Sequence, residues 1–534
     1  MDNTLDLELN HIALLQDRAL TRGGTILFKI PKSGFPQEWV DVTVAVFSSE
    51  VDQVACTLLA DLQAKEIPSR SVIGMLMDGR PYLDFVYTIA LSRLGYVPLM
   101  IPPRSMDESI ISELMRKAET KAIVYDASLV SSITNYALAA TRITPINDIA
   151  CDSSSLPSIQ DLPSDTDVCF IYLTSGSTSG SPKLVPITQR FVTMNRNAEV
   201  DTMQDDNKDD IQDVFLNRGK YLVCLFTGSC IVYPPRTSTT TQDLFTLVDI
   251  CGLNRMAMFG TFLSPHIQAA MGDQATLELL KGMRSISYSG VHLPIVEDDW
   301  CFHNGIHLVG MYAMTECGAR LLCILMTTVP GKPSRYLRPI PTISCRFDPV
   351  SKTDDQSAAD HESTQLFEFI LLAGSPRLPQ SHLLAPDGHF HSGDLFEDQP
   401  DGSYVFRGRN DDWIKTKSAY WCDTKSIEDK VHETCGDLIK QCIVVGSFRP
   451  SPALFIEPNA GSPHEHESLK DTILARMHEF NIRCYVSESI TDKRLIFVVD
   501  QGVLPRTMKG NLRHAAIEHQ YSTMLDEVYE SLSV

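Results

Sequence analysis

One segment of the sequence combines the residue types that can bind an anion. It reads TSGSTSGSPK at 174–183 and follows the apolar run Val168–Leu173, which has the composition of a buried strand. Small residues allow backbone N–H groups and hydroxyls to converge on a phosphate, and Lys183 adds a positive charge. The segment therefore predicts a phosphate-binding loop, and Thr188 beyond it is suited to cap a following helix.

Three other interpretations of this segment are weaker. It does not match the common P-loop pattern, which needs a glycine-lysine pair followed by Ser or Thr. It does not match a nucleophile elbow, because Thr178 stands where that motif needs Ser. A flexible Ser/Gly linker seldom follows a buried apolar strand and ends in Pro-Lys.

Alternating helical and strand patterns precede this loop and must position it. Apolar residues at helical spacing cover 48–65, and an apolar run of strand length follows at 72–77. Further helical patterns cover 81–95 and 106–118, and another strand-like run covers 121–126. This alternation predicts crossover units over a largely parallel sheet.

A change in the sequence pattern after Gly408 predicts a second domain. The chain has 534 residues, which is too long for one compact core. Residues 151–165 have the composition of a surface connector, and the segment from residue 410 has helix and strand signals of its own. We therefore predict a domain over 1–409 and a smaller one over 410–534.

The composition excludes several classes of partner. Lys and Arg number 46 against 67 Asp and Glu, which gives a net charge of −21 and predicts no binding to nucleic acid or to anionic membranes. The N-terminus lacks the pattern of a secretory signal. The 14 cysteines form no C-x-x-C pair, which disfavours a disulfide framework or a zinc site and favours free thiols in a reducing cytoplasm.

The loop resembles the signature of the adenylate-forming superfamily, which includes acyl-CoA synthetases, luciferases and nonribosomal peptide synthetase adenylation domains. The usual pattern is [ST]-S-G-[ST]-T-G-x-P-K, matched here with one extra residue at or near Ser179. Segments at 284–294, 310–318, 391–417 and 504–517 follow in the family's order, so the resemblance covers nearly the whole chain. It is closest to the adenylating domains of fungal reductases similar to nonribosomal peptide synthetases, which implies a role in secondary metabolism.

The resemblance implies a fold and a set of nucleotide-binding residues. The fold is α/β, with a large N-terminal domain of mixed and parallel sheets flanked by helices and a small mobile α+β C-terminal domain. The nucleotide-binding residues that it implies are Thr174, Ser175, Gly176, Ser177, Thr178, Lys183, Ser289, Gly290, Tyr312, Asp394 and Arg409. Among them Tyr312 is implied to cover the adenine. Asp394 is implied to accept the ribose hydroxyls, and Arg409 to reach the ribose or the α-phosphate.

The resemblance also implies catalytic residues and a hinge. Glu316 is expected to bind Mg²⁺, since a hard carboxylate suits a hard cation, and Thr315 is expected near the phosphates. Lys509 is expected to be the catalytic cation of the smaller domain, and Asp411 the hinge between the two domains.

Several positions depart from the family's pattern. Asn511 stands where the catalytic lysine is usual, and Lys509 lies just before Gly510 instead, so Lys509 either takes the catalytic role or has none. Ala313 and Ser418 replace common glycines, and no His occurs in 214–235, where acyl-activating enzymes often have one. The Phe-Asp pattern of amino-acid-activating domains is not recognisable, which argues against an α-amino acid substrate.

The implied function is ATP-dependent activation of a small carboxylic acid as acyl-AMP with release of pyrophosphate. The acyl group would then pass to a thiol of CoA or of a carrier protein's pantetheine, or to another nucleophile. No carrier or nicotinamide-binding signature is found, so a carrier protein or a reductase is expected in trans. The departures leave a second interpretation open, a catalytically altered nucleotide-binding or regulatory homologue, and luciferase-like oxidation of the adenylate is a third.

Overall fold

The computed structural model describes most of the chain. The residues that it describes are 9–32, 38–77, 81–101, 108–129, 136–149, 156–157, 166–173, 184–194, 196, 214–216, 221–233, 239–290, 293–314, 316–317, 324–350, 365–410, 414–415, 421–422, 424–459, 466–481, 489–506, 510 and 512–532.

Strands occur along the whole of this described chain. In order they are β1 (Ile26–Pro31), β2 (Trp39–Thr43), β3 (Val72–Leu76), β4 (Val97–Ile101), β5 (Ala122–Tyr125), β6 (Ala139–Arg142), β7 (Val168–Leu173), β8 (Leu184–Thr188), β9 (Val214–Leu216), β10 (Cys230–Val232), β11 (Arg255–Phe259), β12 (Ser285–Ser289), β13 (Leu308–Ala313), β14 (Ile324–Thr328), β15 (Leu337–Pro339), β16 (Cys345–Pro349), β17 (Leu366–Leu371), β18 (Phe390–Asp398), β19 (Tyr404–Arg409), β20 (Ile414–Lys415), β21 (Trp421–Cys422), β22 (Ile439–Val445), β23 (Ala453–Pro458) and β24 (Ile496–Val498).

Helices alternate with these strands. In order they are α1 (His11–Thr21), α2 (Val44–Ala64), α3 (Pro81–Arg93), α4 (Glu108–Lys117), α5 (Tyr221–Thr227), α6 (Thr241–Cys251), α7 (Gly260–Gly272), α8 (Gln274–Lys281), α9 (Ile295–His303), α10 (Thr424–Cys435), α11 (His466–Arg476), α12 (His478–Asn481), α13 (His514–Gln520) and α14 (Ser522–Leu532). None of the helices that the structure describes has the length and apolar character needed to cross a membrane.

The largest sheet of the described chain has thirteen strands and changes character at β13. Its order is β16-β17-β18-β19-β15-β14-β13-β12-β11-β9-β10-β1-β2. From β1 through β13 the neighbouring strands are parallel, apart from the edge strand β2. Beyond β13 each pairing is antiparallel. Strand β13 therefore joins a parallel half to an antiparallel half, and the candidate site lies at this junction.

A six-stranded sheet confirms the predicted crossover units. Its order is β6-β5-β3-β4-β7-β8, and its strands are parallel except for β8. Strand β3, helix α3, strand β4, helix α4 and strand β5 follow one another along the chain, as the alternating pattern predicts. The apolar run before the Ser/Gly-rich segment forms the buried strand β7, also as predicted.

Helix α2 begins four residues before the predicted start of the pattern at residue 48. The Thr43 hydroxyl accepts a hydrogen bond from the Val46 N–H, which caps the helix there. Val44 and Phe47 are buried, so the first turn also packs into the core. The apolar periodicity alone did not reveal this cap.

Separate apolar cores support the two-domain architecture. The core of the smaller domain draws its buried residues from 414–532, whereas α1 to α3 pack with β7 and β8 in a core of the larger domain. A three-stranded sheet of β22, β23 and β24 forms the smaller domain together with its helices. The predicted α/β fold with a large N-terminal and a small C-terminal domain is confirmed, while the division between residues 409 and 410 stays a prediction.

Candidate active site

The carboxyl ends of three neighbouring parallel strands, β11, β12 and β13, form one side of the site. Phe259 of β11 pairs with Ser289 of β12, and Tyr288 pairs with Gly310 of β13, so these strands end on the same edge of the sheet. Ligands bind at this edge in open α/β sheets. Ser289 and Tyr312 are therefore positioned by the sheet itself.

Gly290 follows β12 in a conformation that suits glycine. Its φ is +84°, and a Cβ atom there would lie 2.8 Å from the Phe259 ring. The small residue thus lets the chain turn directly beneath an aromatic side chain.

Tyr312, Asp394 and Arg409 form the central contact of the site. The Tyr312 hydroxyl donates to Oδ2 of Asp394 at 2.6 Å, and Arg409 Nη1 donates to Oδ1 at 3.0 Å. Asp394 and Arg409 are also register partners on β18 and β19. The sequence predicted that all three bind the nucleotide but did not predict that they contact one another.

Tyr312 is fixed in a cluster of aromatic rings. Its ring packs edge-on against Phe369 and Phe396, at centroid distances of 5.4 and 5.1 Å, and the side chain is buried. Burial, reinforced by the Asp394 carboxylate, raises the pKa of the Tyr312 hydroxyl well above its usual value. The hydroxyl therefore remains a hydrogen-bond donor to Asp394 at neutral pH.

The sequence QPDG at 399–402 forms the turn of the hairpin β18–β19. The Gln399 N–H donates to the Ser403 carbonyl at 2.8 Å, and Gly402 has φ of +73°. Lys332 forms an ion pair with Asp401 in this turn at 2.5 Å. The hairpin brings Arg409 back beside Asp394.

Two predicted elements flank the Ser/Gly-rich segment. Leu173 of β7 pairs with Leu184 of β8, and the Thr188 hydroxyl accepts from the Phe191 N–H at 3.2 Å, which confirms Thr188 as a helix cap. Phe191 packs against the apolar cluster that contains Tyr312. A short helix at 189–194, which begins after β8 and is additional to the helices given above, therefore contacts the site.

The remaining predicted site residues divide into two groups. Glu316 is half-buried and follows β13 by three residues. The predicted residues that lie outside the described part of the chain are Thr174, Ser175, Gly176, Ser177, Thr178, Lys183, Thr315, Asp411 and Lys509.

In the smaller domain, the residues on either side of 507–509 are held together. Arg506 and Leu512 form an antiparallel bridge, and the Arg513 N–H donates to the Pro505 carbonyl at 3.0 Å. Arg506 also forms an ion pair with Glu457, whose side chain is 1% exposed. The sequence analysis missed Glu457, although a Glu within the apolar strand ALFIEP was a signal of a buried partner.

Comparisons with known proteins agree with this geometry. Residues 17–348 match the family described as AMP-binding enzyme, and residues 411–533 match the AMP-binding enzyme C-terminal domain. The chain is 51% identical over 523 residues to the AMP-binding domain-containing enzyme iboA of Amanita muscaria (strain Koide BX008), covering 94% of this chain and 99% of that protein.

Two solved structures share the fold. The anthranilate CoA ligase AuaEII in complex with anthranoyl-AMP aligns with a TM-score of 0.72 at 14% identity, over 99% of both chains. The o-succinylbenzoate CoA synthetase MenE of Bacillus subtilis, in complex with ATP and magnesium, aligns with a TM-score of 0.72 at 15% identity, over 95% of this chain and 99% of that one. The predicted enzyme class, an adenylate-forming acid–AMP ligase, is confirmed, and the chain belongs to the AMP-binding enzyme family.

Proposed function

We propose that this enzyme activates a small carboxylic acid with ATP and passes the acyl group from acyl-AMP to a thiol of CoA or of a carrier protein's pantetheine, or to another nucleophile. The observation that carries the proposal is the contact of Asp394 with Tyr312 and Arg409 at the junction of the two halves of the large sheet. An ionised carboxylate is an acceptor with two oxygens and about four lone-pair sites, which suits it to the two hydroxyls of a ribose.

The nucleotide would be bound from both sides of this contact. Asp394 accepts the ribose hydroxyls, Tyr312 contributes to the surface against the adenine, and Arg409 reaches the ribose or the α-phosphate. Ser289 and Gly290, at the end of the adjacent strand, leave space for the nucleotide and the acid. The Ser/Gly-rich segment, from Thr174 to Lys183, binds the phosphates.

Magnesium is supported by the residues present. Mg²⁺ is usually bound through one or two carboxylates together with substrate phosphates and water. Glu316 is a half-buried carboxylate just beyond β13 and fits this mode, with Thr315 beside it in sequence. Within the described residues, no group of three or more His, Cys, Asp or Glu is arranged to hold a metal by itself. The ion, when bound, would neutralise charge on the phosphates.

The first step is a displacement at phosphorus. An oxygen of the acid attacks the α-phosphorus, the bond to the oxygen that bridges the α- and β-phosphates breaks, and pyrophosphate leaves with the electron pair. The acid is already ionised at pH 7, so no base is required. The difficulty is to bring two anions together, and Lys183, Arg409 and Lys509 would supply the opposing charge. Orientation of the reactants can lower the barrier by about 7–11 kcal/mol.

The second step needs a different arrangement of the same chain. A thiol attacks the acyl carbon, the bond from that carbon to the AMP oxygen breaks, AMP leaves, and the thiol proton passes to solvent. We propose that the smaller domain rotates about Asp411, delivering Lys509 for the first step and then withdrawing it to admit the acceptor. The separate apolar core of the smaller domain supports its movement as a unit.

The decisive experiment detects acyl-AMP directly. The purified chain is incubated with ATP, Mg²⁺ and a panel of aryl, fatty and keto acids, and the products are analysed by mass spectrometry alongside pyrophosphate release. We expect one acid class to yield acyl-AMP and the Asp394→Ala variant to yield little. Anthranilate and o-succinylbenzoate belong in the panel, because two proteins of this fold act on them.

Other results would contradict the proposal. ATP binding without acyl-AMP from any acid would favour the nucleotide-binding or regulatory alternative. Oxygen consumption that depends on the acid and ATP would favour luciferase-like oxidation.

A further inference from the structure

The pairing of strand β18 with its neighbours is interrupted around Asp394, the residue proposed to bind the ribose. Between β17 and β18, Ile370 pairs with His391 and Glu368 pairs with Leu395. Three residues of β18, at 392–394, therefore lie opposite the single residue Phe369. The register also shifts on the other side of β18, between Asp394 and Phe396. Bulges of this kind re-aim a side chain and interrupt the ladder of backbone hydrogen bonds.

Side chains replace the backbone partners that this bulge removes. The Gly393 N–H donates to Oε1 of Glu368 at 3.0 Å. The Asp394 N–H donates to the Ser392 hydroxyl at 3.0 Å, and that hydroxyl donates to the Phe369 carbonyl at 2.7 Å. Glu368 thus reaches from the neighbouring strand to the backbone N–H of Gly393, the residue directly before Asp394.

The conformation of Gly393 makes this contact important. Its φ is +69°, and a Cβ atom there would lie 3.2 Å from Nη2 of Arg409. The peptide is therefore held in a left-handed turn against the arginine that pairs with Asp394. A small rotation of this peptide would move the Asp394 side chain away from Arg409 and Tyr312.

The second oxygen of Glu368 is also held. Oε2 lies 3.7 Å from Nδ1 of His391, and Nε2 of His391 lies 3.0 Å from Asp387. The hydrogen bond to Asp387 and the charge of Glu368 raise the pKa of His391, which favours the cation. His391 thereby orients the Glu368 carboxylate.

We infer that Glu368 is a positioning residue for nucleotide binding, which orients Asp394 toward the ribose by binding the Gly393 N–H. This inference rests on the proposed function, because it gives Glu368 a role in the binding of the ribose by Asp394. In this proposal Glu368 acts on the nucleotide only through Asp394, which accepts the ribose hydroxyls. Its effect on binding is therefore specific to ligands that carry these hydroxyls.

The test compares ATP with 2′,3′-dideoxy-ATP, which lacks both hydroxyls. Dissociation constants for the two nucleotides are measured by titration calorimetry for the wild type, Glu368→Ala, Glu368→Asp and Glu368→Gln. Glu368→Ala is expected to weaken ATP binding about tenfold, the loss typical of one charge-assisted hydrogen bond, and to change dideoxy-ATP binding less than twofold. Glu368→Asp keeps the negative charge, but its shorter side chain cannot reach the Gly393 N–H. Its dissociation constants for the two nucleotides should therefore resemble those of Glu368→Ala. Glu368→Gln keeps an oxygen acceptor and should retain most of the discrimination.

A matched control lies in the same hairpin. Glu397 pairs with Arg407 on β18 and β19 and does not take part in the bulge contacts described above, so Glu397→Ala should leave both dissociation constants within twofold of the wild type. Circular dichroism confirms that each variant is folded. If Glu368→Ala does not fold, Glu368→Asp decides the test.

The outcomes separate the two proposals. A wild type that binds both nucleotides equally would contradict the ribose role of Asp394, and with it the proposed function. If the wild type binds ATP more tightly than dideoxy-ATP and the Glu368→Asp variant shows the same preference, only the role of Glu368 is overturned. The same conclusion follows if Glu368→Asp weakens the binding of both nucleotides equally, which is what general damage to the fold would produce.

Discussion

Each domain has a buried carboxylate paired with an arginine, and the two pairs differ in what else the carboxylate binds. Asp394 of the large domain lies in a bulged strand and also accepts from the Tyr312 hydroxyl. Glu457 of the small domain is bound by Arg506 and, at 3.4 Å, by the Leu504 N–H. We propose that Asp394 binds the nucleotide, whereas Glu457 stabilises the segment of the small domain that contains Leu504 and Arg506. An ion pair alone therefore does not identify a binding site, because its other partners decide its role.

The largest expected effect concerns Lys509, which lies in the sequence between the bridged residues Arg506 and Leu512. We expect Lys509→Ala to lower the rate of ATP–pyrophosphate exchange by about 10³-fold, because one cation that stabilises the transition state is lost. ATP binding should stay within a few-fold, since Lys509 is proposed to act in the reaction and not in ground-state binding. Exchange assays with radiolabelled pyrophosphate measure the rate, and Asn511→Ala is the control. Normal exchange by Lys509→Ala would remove this residue from the mechanism.

The next effect separates the two pairs directly. Arg506→Ala leaves Glu457 buried without its cation and should lower the free energy of unfolding by about 3 kcal/mol, measured in denaturant. Arg409→Ala should cost less stability, because Asp394 keeps the Tyr312 hydroxyl, but should weaken ATP binding more. The comparison fails if both variants change stability and ATP affinity to the same extent.

A smaller effect is expected at the bulge beside Asp394. Gly393→Ala places a methyl group against Arg409 and forces a left-handed φ on alanine. The strain should lower the free energy of unfolding by about 1–2 kcal/mol and weaken ATP binding through Asp394. Gly402→Ala is the control, because its left-handed turn has open space around it and no contact with Asp394. A Gly393→Ala variant that binds ATP normally would show that the bulge need not be rigid.

The smallest effect is a gain of stability in the small domain. Phe448 follows β22 with φ of +60°, and its side chain is 75% exposed. Phe448→Gly should raise the free energy of unfolding by about 0.5 kcal/mol, because relief of the left-handed strain exceeds the entropic cost of glycine. Phe448→Ala keeps the strain and should show no gain. A loss of stability in Phe448→Gly would indicate that the ring makes a contact that its exposure hides.

Local patterns predicted the elements of the fold better than the contacts of the site. Strand β7 was predicted correctly from a continuous apolar run and helix α3 from a helical pattern, because both signals lie in consecutive residues. The start of α2 was missed because a cap depends on one hydroxyl and not on periodicity.

The contacts of the site could not be read in this way. Tyr312 and Asp394 are 82 positions apart, and only the sheet order brings them together. Glu368 is the one charged residue of the strand LFEFIL, which signals a polar partner, as for Glu457, but does not indicate which group it binds. Family resemblance predicted which residues bind the nucleotide, but the bulge that we propose orients Asp394 depends on the pairing of two strands and leaves no local sequence signal.

The pairing of Leu173 with Leu184 has a consequence for insertions and deletions in the Ser/Gly-rich segment. Because adjacent strands fix both ends of the Ser/Gly-rich segment, a residue gained or lost between them changes only the connection. Strand β8 keeps its register, so none of its side chains exchanges the core face for the solvent face. The additional residue near Ser179 therefore lengthens the segment that we propose binds the phosphates, while the register of β7 and β8 stays the same. The length and sequence of this segment can therefore change while the pairing of β7 with β8 stays the same.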